Sequence, residues 1–390
     1  MKQRNQLALT LFFVGFLALG ALLFWCFPDK PFSETEKRGL QEMPSLTRER
    51  WLSGEFSSQM NDYFADQFPM RDALVALKGA CEIASGKGEN NGILLGKNGQ
   101  LAKRLFSVRL ANGTQCDDMD AYDRAHIDGA IEGILRANEK LRVPFVALLP
   151  PRTLDVASAA FRYPAAYSDA LAEQLRTGLK GKVTYLDLLP TYRERYENGE
   201  DVYYKTDHHW TTRGAYYAYT EILRAFDMET EILPEDAFSK QIATDRFFGT
   251  FWAAGGMRWV DPDRLELWYY GNESSFSVCA DGVILPSLYS ERYLQTGDPY
   301  AVFLDGTHDV VTVTHKEQSR PTLLILKDSF ANALAPFLAQ HFDLVLLNLS
   351  SARTDYTDLS ALSQEYGADA VLLVYTLGNV INTDRLNRLQ

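Results

Sequence analysis

The 390-residue chain is 46% hydrophobic and 23% charged, with 26 glycines, 15 prolines and no fixed-period repeat, which excludes collagenous, solenoid and largely disordered architectures. Its 51 acidic residues outnumber 39 basic ones, for a formal charge of −12, and no concentrated basic patch stands out. Such a chain repels a phosphate backbone, so nucleic-acid partners are excluded too.

Residues 1–6 form a short polar tail, and an unbroken apolar run from Leu7 to Phe27 follows, closed by Pro28, Asp29 and Lys30. At about 1.5 Å per residue, that run is long enough to cross a hydrocarbon core about 30 Å thick. Lys2 and Arg4 predict a cytoplasmic tail and an extracytoplasmic remainder, as in a single-pass signal anchor in the cell membrane. The alternative is a secreted chain cleaved after the small-x-small stretch Ala18-Leu19-Gly20; the apolar continuation from Ala21 to Phe27 argues for the anchor. Cys26 lies in the run, without the small residue before it that a lipoprotein needs. Cys81, Cys116 and Cys279 lie beyond it, an odd number that leaves open one disulfide with a free thiol or three buried thiols. There is no CxxC spacing to suggest structural zinc.

Residues 28–118 read as a polar stalk followed by a helical segment packing on the remainder. Trp51 to Lys78 is predicted as helix, with Phe56, Met60, Phe64 and Phe68 recurring every four residues as an inward stripe. Gly86 to Gly92 is a turn cluster, and Ile93 to Gly99 a short strand entering an Asn-Gly turn.

From 119 to 390 the rhythm changes. Helix Tyr122–Glu139, strand Val143–Pro150, helix Tyr167–Leu179, strand Val183–Leu189 and helix Thr212–Phe226 are followed by a β-rich insertion at about 227–318. Strand Thr322–Lys327, helix Phe330–Gln340, strand Leu344–Leu349, a further helix and strand Ala368–Tyr375 then complete the pattern. About five apolar strands alternating with helices predict one discontinuous α/β domain whose parallel sheet is covered on both faces.

Two segments carry chemistry. Strand Leu323–Lys327 ends in Asp328-Ser329 and runs straight into a helix, which puts Ser329 at the carboxyl edge of a sheet and at a helix amino terminus. Open α/β folds bind ligands at that edge, and the free N–H groups there suit a developing negative charge. The bland alternative is that Asp328 or Ser329 is an N-cap and nothing more.

The other segment is Tyr203-Tyr204-Lys205-Thr206-Asp207-His208-His209-Trp210. In an extended stretch Asp207 and His209 leave on the same side while His208 points away. A carboxylate beside an imidazole fixes its tautomer and stabilises its protonated form, which is what a serine needs to lose its proton near neutral pH. Thr211 or Thr212 is expected to cap the next helix. An Asx-turn at Asp207, a packed core histidine, or a metal site from Asp207, His208 and His209 are the rival readings. The last is disfavoured because adjacent histidines should face apart. His126, His308, His315 and His341 stand isolated in the sequence.

Asp207-His208-His209-Trp210 after a Tyr203-x-x-Thr206 lead, with Asp328-Ser329-Phe330 far downstream, resembles the bacterial DHHW family, whose members are similar to the SGNH hydrolase-like proteins of alginate O-acetylation (AlgJ and AlgX). Phe32 to Arg38, Phe64 to Asp72 and Gly92 to Gly99 are similar in style to the same family. The resemblance implies an SGNH-hydrolase-like, flavodoxin-type sheet of about five parallel strands. It implies Ser329 as nucleophile, His209 as general base and Asp207 as its orienting partner, with His208, Trp210 and Asp328 as neighbours.

The SGNH pattern is incomplete. Lys327 stands where a glycine is usual two residues before the serine, and the block that supplies oxyanion donors has no clean copy. Gly378 and Asn379 are placed to serve, with an ordinary turn as the alternative. Asn332, three past the serine, is another candidate donor, and is rather expected to face solvent from the helix. No cofactor and no metal is implied. By resemblance, the activity is transfer of an acetyl group through an acetyl-enzyme to a cell-envelope or exopolysaccharide, with a multispanning membrane acyltransferase as donor. The alternatives are a deacetylating esterase of the same fold and a non-catalytic glycan-binding or assembly protein.

Overall fold

The computed structural model describes residues 2–33, 35–104, 119–162, 166–351 and 358–390, with backbone only for the helical residues 2–5, 119–123 and 166–168. The expected boundary at 118/119 and Cys116 lie outside the described residues. Cys26, Cys81 and Cys279 are free thiols. The chain divides into two compact units, Met1–Asn91 with Ala253–Trp259, and Gly92–Trp252 with Val260–Gln390.

The first unit opens with helix α1 (Lys2–Cys26), in which Gln6–Cys26 has a mean hydropathy of 2.5 and is long and apolar enough to cross a membrane. The single helix expected from Trp51 to Lys78 is instead three: α2 (Arg48–Ser53), α3 (Glu55–Asp66) and α4 (Arg71–Ala84). Gly54 at φ 79° breaks it once, and Met70 at φ 61°, just after Pro69, breaks it again. These breaks rotate the faces, so Tyr63 becomes the buried residue of α3 while Phe64 and Phe68 stay 47% and 45% exposed. The segment before α2 is bound to α3: Arg38 forks onto Asp66 (2.8 and 2.6 Å), and the Gln41 N–H donates to the same carboxylate at 2.9 Å.

In the second unit the strands Ile93–Leu95 and Leu101–Lys103 pair antiparallel around Asn98 and Gly99, both at positive φ, as the Asn-Gly turn predicts. The main sheet has eight strands. In chain order these are β1 (Phe145–Leu148), β2 (Thr184–Leu186), β3 (Phe276–Ala280), β4 (Val283–Leu285), β5 (Val310–His315), β6 (Thr322–Lys327), β7 (Asp343–Asn348) and β8 (Ala370–Val374). Across the sheet they run β4-β3-β5-β7-β6-β8-β1-β2.

The five strands from β7 to β2 are parallel, whereas β5, β3 and β4 extend the β7 edge antiparallel. The sheet is therefore mixed and larger than expected, because part of the 227–318 insertion joins it. By chain order the parallel strands stand second, first, fifth, third, fourth. This departs from the 2-1-3-4-5 order of a flavodoxin-type sheet, since β8 enters between β1 and β6.

Strand alternation builds two cores. Leu323, Ile325, Leu372 and Val374 point to one face, packed with helices α7 (Thr212–Ala225) and α8 (Phe330–Leu338). Leu324, Leu326, Val371 and Leu373 point to the other, with residues of the preceding helices α5 (Met119–Lys140) and α6 (Ala166–Leu179). The result is a three-layer arrangement in which Ser329 follows β6 directly, between β7 and β8, at the carboxyl edge of all five parallel strands.

Candidate functional site

Residues 202–211 form a closed loop and not an extended strand. Tyr203 bridges to Trp210, the Tyr204 N–H donates to the His209 carbonyl (3.2 Å), and the Thr211 N–H donates to the Val202 carbonyl (3.1 Å). The Thr211 hydroxyl then caps α7 by accepting from the Gly214 N–H at 3.0 Å. Inside the loop, the Asp207 carboxylate takes the His209 backbone N–H (3.0 Å) and lies 2.6 Å from His209 Nδ1. On the far side of the same ring, His209 Nε2 lies 2.7 Å from Ser329 Oγ.

A continuous hydrogen-bonded chain, Asp207–His209–Ser329, thus joins residues 120 positions apart. Ser329 has helical backbone angles (φ −64°, ψ −18°) and its hydroxyl makes no cap hydrogen bond, so the N-cap alternative does not describe it. Asp328 does the local bracing: Oδ1 accepts from the Phe330 N–H at 3.0 Å, and Oδ2 from the Thr376 N–H at 2.7 Å.

His208 departs from the expectation. Because the loop is curled, its ring lies 3.8 Å from that of His209, centroid to centroid, and its Nδ1 is 3.4 Å from Asp207 Oδ1 and 2.8 Å from Thr250 Oγ1. Desolvation first, and then the neighbouring His209, push its pKa below the ordinary value. Burial acts on Asp207 to raise its pKa. His208, His209 and the Thr250 N–H outweigh that, and the carboxyl is held well below the usual range. Asp207, His208 and His209 bring possible metal-ligating atoms within 4.8 Å of one another. Both nitrogens of His209 are already engaged, with Asp207 and Ser329, so a metal there would break the chain.

Trp210 is fully buried; its Nε1–H donates to the Phe330 carbonyl at 3.1 Å and so ties the loop to the residue after the serine. Of the two positions expected to supply oxyanion donors, Asn379 spends its amide on Asp328 Oδ2 at 2.8 Å. Gly378 lies in the short helix Leu377–Asn382, beside the stem of Arg152. Asn332 is buried and does not face solvent: it accepts from Lys327 Nζ (2.7 Å) and donates to the Gly306 carbonyl (2.9 Å). Burial lowers the Lys327 pKa to about 8.

Sequence reading missed three supporting residues. Thr250 grips Asp207 through N–H and hydroxyl. Tyr300 stacks its ring on His209 at 3.7 Å and 10°. Asp263 accepts from the N–H groups of Lys205 and Thr206, both at 2.8 Å, and from the Thr206 hydroxyl at 2.5 Å, which fixes the approach to Asp207. All three come from the 227–318 insertion. One local signal was available: the glycine in Phe248-Gly249-Thr250, where an added Cβ would come within 2.2 Å of Asp207 Cβ.

A family model described as "SGNH hydrolase-like domain, acetyltransferase AlgX" matches residues 134–265, a span that contains Asp207 to Trp210 and Thr250 but not Ser329. Among solved structures, a DHHW family protein from Eubacterium siraeum is 18% identical with a TM-score of 0.57, over 77% of this chain and 95% of that one. Bacillus cereus PatB1, solved with a sulfonyl adduct, is 20% identical with a TM-score of 0.59, over 76% of this chain and 97% of that one. The chain resembles the DHHW, AlgX and PatB1 group of SGNH hydrolase-like proteins. No curated sequence matches it. At these identities the likeness of the DHHW-type structures is one of fold, and it covers about three quarters of the chain.

Proposed function

We propose that this chain is a membrane-anchored, extracytoplasmic serine acyl-transfer enzyme that moves acetyl groups on a cell-envelope or exopolysaccharide. The observation that carries the reading is the unbroken chain Asp207–His209–Ser329, with contacts of 2.6 and 2.7 Å. His209 Nε2 takes the Ser329 proton as Oγ attacks the acetyl carbonyl carbon. The tetrahedral intermediate collapses, His209 passes that proton to the departing oxygen, and Ser329 is left acetylated. A sugar hydroxyl then attacks the ester, giving its proton to His209 and leaving as the O-acetyl sugar, while the proton returns to Ser329. Water in place of the sugar releases acetate, and the enzyme is then an esterase. Asp207, held ionised, keeps Nδ1–H of His209 facing it and stabilises the imidazolium.

The family model's acetyltransferase description supports acetyl transfer and the apolar α1 supports action at a membrane; the envelope glycan as acceptor and a multispanning membrane acyltransferase as donor are part of the proposal. The engagement of Asn379 by Asp328 favours the second reading, a non-catalytic glycan-binding protein, because it withholds the expected oxyanion donor.

The test is intact-mass analysis of the full chain in detergent after treatment with a sulfonyl fluoride and with an activated acetyl ester. An adduct that disappears in Ser329→Ala, with ester turnover lost in His209→Ala, is expected. No adduct and no turnover in the wild type would sink the enzymatic reading in favour of the binding one. Oligosaccharide acceptors then separate transferase from esterase by acetyl-sugar against acetate.

A further inference from the structure

The residues that leave α1 are fastened to α3. The Tyr63 hydroxyl lies 3.1 Å from both oxygens of Asp29, and Gln67 pairs with Lys30 in both directions, at 2.9 and 3.0 Å. Within the helix itself, the ring of Phe24 packs on those of Tyr63 (5.6 Å) and Phe64 (5.2 Å). Arg71 and Arg38 both pair with Glu36 (2.9 and 2.8 Å), and together with the Arg38–Asp66 fork they brace this junction, so the chain after α1 is not a loose leash. Phe24 belongs to the apolar span, and at about 1.5 Å per residue it lies within one turn of its end. Whatever touches Phe24 therefore sits at the depth where hydrocarbon gives way to headgroups.

Large apolar side chains of the same segments are left about half or more open to their surroundings. Trp25 is 73% exposed, Phe64 47%, Phe68 45% and Met70 70%. Trp is favoured at this depth, and Phe and other apolar side chains form the face that interfacial segments bury at the headgroup–acyl boundary. The patch is also continuous with the lipid-facing surface of α1, since Phe24 and Phe64 are in contact.

We propose that Phe64, Phe68 and Met70 insert among the lipid headgroups, so that the first unit holds the bilayer at two places, through α1 and through the α3–α4 corner. The proposal rests on reading α1 as membrane-spanning.

The test uses the full chain with Cys26, Cys81, Cys116 and Cys279 replaced by serine, reconstituted in phosphatidylcholine–phosphatidylglycerol vesicles. One nitroxide is attached in each of Leu17→Cys, Met70→Cys and Glu291→Cys, and spin-label accessibility to oxygen and to a water-soluble nickel chelate is measured. The Met70→Cys label should meet the chelate at least several-fold less than Glu291→Cys while staying open to oxygen. Equal chelate access at the two sites overturns the proposal. Chelate access at Leu17→Cys removes the anchor reading itself, and the proposal with it. Shielding of Met70→Cys from both reagents, with dipolar broadening that dilution by unlabelled chain removes, assigns the patch to a second copy and also overturns it.

Discussion

Thr250 holds Oδ2 of Asp207 twice, through its backbone N–H at 2.7 Å and its hydroxyl at 3.0 Å, leaving Oδ1 to His209. One oxygen of the carboxylate is thus fixed by the insertion and the other by the imidazole. A hydrogen bond to a charged group contributes about 1.5–3 kcal/mol. Thr250→Val should therefore lower kcat on an acetyl ester about tenfold or more with KM little changed, and Thr250→Ser should restore it. Equal activity in all three proteins would show that the hydroxyl is dispensable.

Tyr300 lies flat against the His209 ring, while its hydroxyl reaches the Ser329 carbonyl only at 3.5 Å. The ring, not the hydroxyl, should matter. Tyr300→Phe is expected to keep turnover within about twofold. Tyr300→Ala should cost about 3–5 kcal/mol of stability, as truncating a buried aromatic does, and should release the imidazole from its plane. Urea unfolding and ester turnover on both variants check this, and a phenylalanine variant as poor as the alanine one would contradict it.

Gly249 has no room for a side chain, because an added Cβ would lie 2.2 Å from Asp207 Cβ and 2.5 Å from its Cα. Gly249→Ala must push the Thr250 turn away from Asp207, at a cost of about 1–3 kcal/mol as in other overpacked sites. Turnover should fall further than in Thr250→Val, since the N–H contact is lost as well. Full turnover in a folded Gly249→Ala protein, judged by its thermal midpoint, would refute that close approach.

Lys327 is buried beside Asn332, and burial lowers its pKa from 10.5 to about 8. Between those values the unfolded chain binds more protons than the folded one, so this group's contribution to stability rises with pH through that window. At pH 7 the buried ammonium is a net cost. One pKa unit corresponds to about 1.4 kcal/mol. The stability of wild type relative to Lys327→Met should therefore climb by about 1–3 kcal/mol between pH 7 and 10. Denaturant titrations across that range test it, and a pH-independent difference would argue against a charge buried there.

How far the sequence reached can be judged from particular elements. Helix Thr212–Ala225 and strand Thr322–Lys327 were legible nearly to the residue, because a capping threonine and a continuous apolar run are local signals. The stripe Phe56–Phe68 does not become one buried face, for the opposite reason. Gly54 and Met70 take left-handed backbone angles that reset the helix phase, which a four-residue period read straight through them cannot show.

The sequence by itself determined the alternating helices and buried strands of the α/β domain, that Ser329 closes a strand and opens a helix, and that Asp207 and His209 are near neighbours. Those properties follow from periodicity, capping and chain continuity, which act over a few residues. Only the tertiary structure decided that β8 enters the middle of the sheet, that the insertion adds three antiparallel strands, and that Thr250, Tyr300 and Asp263 reach the 203–211 loop. It also buried Asn332 against Lys327 and turned His208 toward Asp207. Contacts of that kind join residues far apart in the chain, or depend on how a loop closes, and they are selected by packing volume and by the need to satisfy buried polar groups, neither of which leaves a local pattern in the sequence.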